Sequence, residues 1–362
     1  MRKVVIAGAG GYIGSVLAPY LAERGLDVLA YDTGFFEDSL LSEYRGPAVV
    51  RKDMRDAVQG DFAGADAVVM LAGISNDALG GLSAETVYAP TRDYAVKVAR
   101  YCKTLGAKFI YASSCSIYGR GGAALAHEGS EVFPQTPYSL NKLEVEQELA
   151  KLADRDFAPI SLRFATVFGP SPRIRFDVFV NMFAGMALTS KRLVLNSDGS
   201  AWRPSLHILD ACKAVHACLG LRTHASGHLV LNVGEDSENY QIRTVAELVR
   251  DRVPGCRIEF LGQSKDGLSS QFAELVKDRK VSDGVDTRSY QISFAKIKRA
   301  IPGFRCDWSV PKGIDNLIDE LERAGLDEEK FLNPKFYRLQ ALELLHRNGR
   351  INDRLRWAAE AA

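Results

Sequence analysis

The sequence has no CxxC pair, no apolar run long enough to cross a bilayer, and no surplus of either charge. Its six cysteines are scattered at Cys102, Cys115, Cys212, Cys218, Cys256 and Cys306, without the spacing of a metal site. In a chain of 362 residues without an export signal, that usage excludes a disulfide framework and predicts a reduced, cytoplasmic protein with no metal. The apolar run near the start, Val4 to Ala9, is far shorter than a signal peptide core or the ~20 residues of a membrane span. Lys plus Arg number 46 against 45 Asp plus Glu, a formal net charge of +1. Such a balance argues against nucleic acid or an anionic membrane as the main partner, and is compatible with a local basic patch for a diphosphate.

What is present is an α/β rhythm. Short apolar runs at Val4–Ala7, Val28–Tyr31, Ala48–Val50, Ala67–Leu71 and Lys108–Ala112 read as buried strands. Helical patterns fall between them, from Ile13 to Arg24 and roughly from Thr91 to Leu105. Strands separated by helices predict a doubly wound parallel sheet covered on both faces. Beyond about residue 170 the rhythm loosens into Pro-, Arg- and Gly-rich loops, then returns to a strand at Leu229–Val233 and a helix at Val245–Val253. The expected organisation is a first domain over 1–170, to which a strand and helix within about 205–235 return. A smaller, mixed lobe spans 171–320, and a charged helical C-terminal extension occupies 325–362. That extension is expected to run as a helical segment from Asp327 to Trp357, with Leu339, Leu344 and Leu345 on one apolar face docked on its own domain or on a second subunit.

The turn after the first strand reads Gly8-Ala9-Gly10-Gly11-Tyr12-Ile13-Gly14. Glycines at 8, 11 and 14 let the backbone turn tightly against a pyrophosphate, and the helix that begins there presents its unpaired N–H groups to the anion. The second strand ends in Asp32, where a carboxylate accepts both adenosine ribose hydroxyls and repels a 2′-phosphate. The cofactor expected is therefore NAD, on a Rossmann-type first domain, with Gly8, Gly11, Tyr12, Ile13, Gly14 and Asp32 as its contacts.

Tyr138 and Lys142 stand four residues apart, on one face of a helix. Proton transfer at a carbinol needs a base poised near working pH, and a cation one turn from a phenol favours the phenolate. Lys142 can also hold the nicotinamide ribose. Earlier, Tyr111-Ala112-Ser113-Ser114-Cys115-Ser116 closes a strand, at the edge where ligands of open α/β sheets sit.

With these motifs in this order, the sequence resembles the extended short-chain dehydrogenase/reductase family of sugar-nucleotide epimerases and dehydratases, from residue 1 to about 320. The resemblance implies that Asp53 and Met54 contact adenine and that Leu71, Ala72 and Gly73 line the cofactor. Where the family often has an Asn against the nicotinamide ribose, this sequence has Val87. The resemblance assigns the catalytic hydroxyl to Ser114, beside Tyr138 and Lys142. Dehydratases usually carry Asp-Glu after that serine; Cys115-Ser116 here disfavours a 4,6-dehydratase. Leu162 to Pro170 is similar to the family's R-Y-F-N-V-Y-G-P segment, which places Phe164 and Ala165 beside the nicotinamide and Thr166 at the sugar nucleotide. Gly199 to Asp210 is similar to G-x-x-x-R-D-F-I-H-V-x-D, which gives Arg203 to the substrate diphosphate and leaves Pro204 where Asp is usual. His207 reads as a structural residue. Arg288 and Arg173 are further expected substrate contacts, with Ser114 and Cys115, and Arg175 falls in the same region. The resemblance thus implies an NAD-dependent epimerase of a nucleotide-diphosphate sugar, acting through a transient keto intermediate and forming a homodimer. The alternative is a net keto-sugar reductase or sugar dehydrogenase on the same scaffold.

Overall fold

A computed structural model describes residues 2–75, 84–120, 124–195, 197–222, 227–260 and 288–358. Its first strands are β1 (Lys3–Ala7), β2 (Asp27–Asp32), β3 (Val49–Arg51), β4 (Ala67–Met70), β5 (Lys108–Ser114) and β6 (Ile160–Phe164). They are followed by β7 (Thr166–Phe168), β8 (Arg192–Leu195), β9 (Trp202–His207), β10 (Leu229–Val233), β11 (Asn239–Gln241) and β12 (Arg257–Phe260). One parallel sheet runs in the order β10-β6-β5-β4-β1-β2-β3. The strand order reverses between β1 and β4, so the crevice for a ligand opens at the carboxyl ends of those strands.

The helices of the same region are α1 (Gly14–Ala22), α2 (Ala84–Leu105), α3 (Pro137–Leu152), α4 (Phe179–Ser190), α5 (Ile208–Gly220) and α6 (Ile242–Arg252). Strand alternation decides which face each residue serves. Val4 and Ile6 join Leu17 of α1 and Val215 of α5 on one side. Val5 and Ala7 join Val98 of α2 and Leu149 of α3 on the other. Both faces are thus apolar and covered, which is why these strands read as continuous β-branched runs. The helix expected from Thr91 begins earlier, at Ala84, and carries Pro90 inside it. Burial of Val87 and Tyr88 against the C-terminal segment holds the extra turns in spite of the proline.

A second core gathers α4, α6, β8 and the helix Val310–Arg323. Next to it, β7 pairs parallel and β11 antiparallel with β9. This smaller, mixed lobe is joined to the first by the Tyr12 hydroxyl, which bonds to Gly169 and Asn181.

The extension is not one helical run. Helical turns at Glu328–Leu332 and Arg338–Arg347 are separated by a 3-10 turn at Pro334–Phe336, and Ile351 then bridges to Trp357. Pro334 lacks the N–H a helix needs, and Gly349 takes φ +68°, which ends the second helix. The expected apolar face is corrected too: Leu344 is exposed, while Arg338, Ala341 and Leu342 are buried. The segment docks on its own chain, through Leu342, Ile351 and Leu355 against Val87 and Tyr88.

Candidate active site

The glycine turn is held in place by contacts that no side chain larger than hydrogen would permit. Gly8 takes φ +91°, and a Cβ there would stand 2.6 Å from the Ala72 nitrogen. A Cβ on Gly14 would stand 2.1 Å from the Gly8 carbonyl oxygen. The Asp32 carboxylate accepts N–H bonds from Gly10 at 3.0 Å and from Gly34 at 2.8 Å, which locks the turn to the end of β2. Burial raises the Asp32 pKa, and the two N–H donors with the charges of Arg173 and Arg338 pull it back down.

Gly8, Gly11, Asp32, Asp53, Met54, Leu71, Ala72 and Gly73 all line one cleft. Val87 lines it as well, so an apolar side chain stands at that wall. Asp53 is tied down by Arg55, whose Nε donates to it at 2.9 Å. Tyr12 turns away from the cleft: its hydroxyl donates to the Gly169 carbonyl at 2.7 Å and accepts from Asn181 at 3.1 Å, which joins the turn to the second lobe. The cleft residues fit a dinucleotide, with a glycine cradle without Cβ atoms and a helix start; against Phe36 of the cleft wall stand Arg173 and Arg338, each with a buried guanidinium nitrogen that has no partner among the described residues.

Tyr138 owes its position to the start of α3. Thr136 caps that helix and accepts the Ser139 N–H at 3.2 Å, Ser139 reciprocates toward the Thr136 N–H, and Pro137 occupies the first turn. One turn on, Lys142 donates to the Ala112 carbonyl of β5 at 2.7 Å. Its ammonium lies 5.6 Å from the centre of the Tyr138 ring and 4.7 Å from that of Tyr111. Burial pushes the Lys142 pKa down to about 8, with Glu146 opposing. Ser114 ends the strand to which Lys142 is tethered, and its Oγ accepts the Ser116 N–H at 3.1 Å. In register, Ser114 lies beside Phe164 of β6, so the expected nicotinamide neighbour and the expected catalytic hydroxyl share one strand edge.

Cys115 is a correction. The 3-10 turn Cys115–Tyr118 buries it, and its thiol donates to the Arg163 carbonyl at 3.1 Å, inside the core rather than toward a substrate. Burial raises its pKa, so the thiol stays protonated. Arg203 and Arg288 come together: the Arg203 guanidinium donates to the Arg288 carbonyl and lies 5.1 Å from the centre of the Tyr290 ring. Thr166 pairs in register with Ser205, two residues along β9 from Arg203. Arg173 is not among them. Its Nε donates to the Phe36 carbonyl at 3.1 Å and its guanidinium faces Tyr44, which puts it against Phe36 of the cleft wall. His207 is buried, caps α5 and stacks on Trp308 at 4.3 Å between ring centres; burial lowers its pKa to about 4 and keeps it neutral.

Sequence reasoning missed the support beneath these residues. Glu146 accepts from Arg163 at 2.6 Å and from Ser113 at 2.5 Å, and Arg163 donates to Tyr118, which donates to Asn232 at 2.8 Å. The signal was present, since Glu146 comes four residues after Lys142 on the same helix. It missed Arg338, Leu355 and Trp357 as well.

A family model described as the NAD dependent epimerase/dehydratase family matches residues 4–234. A UDP-glucose 4-epimerase of Corynebacterium glutamicum is 25% identical over 272 residues, which is 69% of this chain and 80% of that protein. A 2-alkyl-3-oxoalkanoate reductase of Stenotrophomonas maltophilia is 28% identical over 178 residues, 46% of this chain and 52% of that one. Among solved structures, the UDP-glucuronic acid 4-epimerase of Bacillus cereus in complex with UDP-glucuronic acid and NAD superposes with a TM-score of 0.70 at 21% identity, covering 89% of this chain and 99% of the other. At that identity the superposition speaks for the fold. With the family model spanning well over half of the residues, the chain belongs to the NAD-dependent epimerase/dehydratase family, and is an enzyme of the extended short-chain dehydrogenase/reductase type that works with NAD.

Proposed function

We propose that the enzyme interconverts two epimers of a nucleotide-diphosphate sugar through a transient keto intermediate. The observation that supports this reading is that Lys142, seated on the Ala112 carbonyl two residues before Ser114, holds its ammonium 5.6 Å from the centre of the Tyr138 ring. NAD, when bound, would supply the acceptor for the hydride of the reacting C–H bond and the donor that returns it to the opposite face of the keto carbon. Tyr138 takes the proton of the sugar hydroxyl and gives it back, and the Ser114 hydroxyl holds the same oxygen. Lys142 is still largely protonated at neutral pH, so it sets a positive charge beside the phenol in a site of low dielectric. Arg203, with Arg288 beside it, takes the substrate diphosphate, where a planar guanidinium suits phosphate oxygens. Thr166 takes the sugar. The buried, protonated Cys115 offers none of the acid and base groups that elimination of water would need.

The runner-up is a net keto-sugar reductase, which the reductase among the relatives keeps in view. An epimerase keeps its cofactor. Purified protein is expected to retain NAD through gel filtration and to convert a nucleotide sugar to its epimer with no net change in reduced-nicotinamide absorbance. Stoichiometric formation or consumption of NADH during turnover would overturn the epimerase reading in favour of the runner-up.

A further inference from the structure

Three arginines gather beside the glycine turn, and only one is fully provided for. Arg175 is paired: its Nε and Nη2 donate to the two oxygens of Asp177, each at 2.9 Å. Arg173 donates from Nε to the Phe36 carbonyl, yet its Nη1 is buried without a partner among the described residues. Arg338 donates from Nη2 to the Arg173 carbonyl at 2.8 Å, and among the described residues its Nη1 is likewise buried without a partner. The two residues are 8% and 4% exposed.

The charges do not cancel either. The carboxylates that act on Arg338 are Asp177, already committed to Arg175, and Asp32, already accepting two backbone N–H bonds. Burial first, and then the charge of Arg175, press the Arg338 pKa down to about 9. A buried cation in surplus is costly, and an anion seated among these groups removes the cost.

Phe36 connects these arginines to the cleft. The Arg338 guanidinium stacks 4.3 Å from the centre of the Phe36 ring, and Phe36 lines the same cleft as Gly8, Gly11 and Asp32. Ser171, two residues before Arg173, donates to the Tyr12 carbonyl of the glycine turn at 2.9 Å, and its hydroxyl accepts the Arg173 N–H at 3.2 Å. The rest of the extension reaches the part of the cleft lined by Asp53 and Met54. Leu355 lines the cleft, its carbonyl accepts from Arg55 at 2.6 Å, and Trp357 donates from Nε1 to the Thr33 carbonyl at 2.7 Å.

We propose that Arg338, with Arg173, binds the diphosphate of the dinucleotide alongside the glycine turn, so that the C-terminal extension is part of the cofactor site. The family model ends at residue 234, well before Arg338. The assignment requires a dinucleotide in this cleft and is independent of which reaction the site performs.

The test is calorimetric titration of the full chain, stripped of nucleotide, with NAD, ADP-ribose and adenosine. Arg338→Gln is expected to weaken NAD and ADP-ribose by about 10- to 100-fold, the loss of a charge-assisted contact to phosphate, and adenosine by less than about threefold. Unchanged NAD affinity overturns the proposal. An equal loss for adenosine also overturns it, because the arginine would then be only packing. Should Arg338→Gln fail to fold, Arg338→Lys carries the same test: an ammonium keeps the charge without the fork, so ADP-ribose should weaken by about 3- to 10-fold and adenosine should not. Wild-type protein that binds neither NAD nor ADP-ribose would remove the cofactor site itself, whereas binding that is indifferent to Arg338 removes only its role.

Discussion

Arg163 and Arg338 are both buried arginines, 5% and 4% exposed, and they live in opposite circumstances. Arg163 has a closed set of partners. Nε and Nη2 donate to Glu146, Nη1 donates to the Tyr118 hydroxyl, and Glu146 takes Ser113 as well. Burial alone would lower its pKa, but Glu146 more than offsets that and raises it. Arg338 has a carbonyl, an aromatic face and two like charges, and its pKa falls. A network whose donors and charges are all answered inside the protein is framework, and here it braces α3 against β5 and β6 beneath Tyr138. A group left unanswered in the same degree of burial needs another explanation, and for Arg338 the proposed diphosphate supplies one.

The contrast breaks first at Glu146. Glu146→Ala leaves the Arg163 charge buried with no counterion, which should cost about 3–5 kcal/mol of stability. Urea unfolding at neutral pH measures it, and a loss under about 1 kcal/mol would mean that the network is not framework. Tyr138→Phe is the complementary change, with chemistry removed and framework kept. Turnover should fall by about 10²-fold or more, with NAD affinity and the unfolding midpoint nearly unchanged. Full activity of that variant would remove Tyr138 from the mechanism.

Legibility divides along the same line. The parallel sheet was readable because its strands are buried on both faces, so Val4–Ala7 and Ala67–Met70 are continuous apolar runs. The glycine turn was readable because it needs residues without Cβ at fixed spacing. The tyrosine–lysine pair was readable because helical geometry sets its interval. The Arg163 network was not: its members come from β5, α3, β6 and β10, far apart in sequence, and nothing local marks them as partners. Arg173 was assigned to the substrate on its place in the chain, whereas the fold carries it to Phe36 and Tyr44. The extension was read as charged helix, and the burial of Arg338 ran against its residue type. Cys115 shows the same limit, because one 3-10 turn sends its thiol inward.

The smallest expected effect lies between the two regions, at Asp32. Its oxygens accept the Gly10 and Gly34 N–H groups, and Arg173 and Arg338 act on its charge. Asp32→Asn keeps the shape but turns one acceptor into a donor and removes the charge that repels a 2′-phosphate. NAD should weaken by about 10-fold, the loss of one charge-assisted acceptor. NADP should gain, because the repulsion is gone and the two arginines are left with one anion fewer among them. Titration of both nucleotides measures the shift in preference; a ratio within about threefold of wild type would show that Asp32 does not discriminate between them. Adding Arg338→Gln to Asp32→Asn sharpens the contrast with Arg163. If the unanswered charge of Arg338 attracts anions, the second substitution should reverse part of the NADP gain, and the two effects should not be additive. Additive effects would place Arg338 with the framework residues, closed in on itself as Arg163 is.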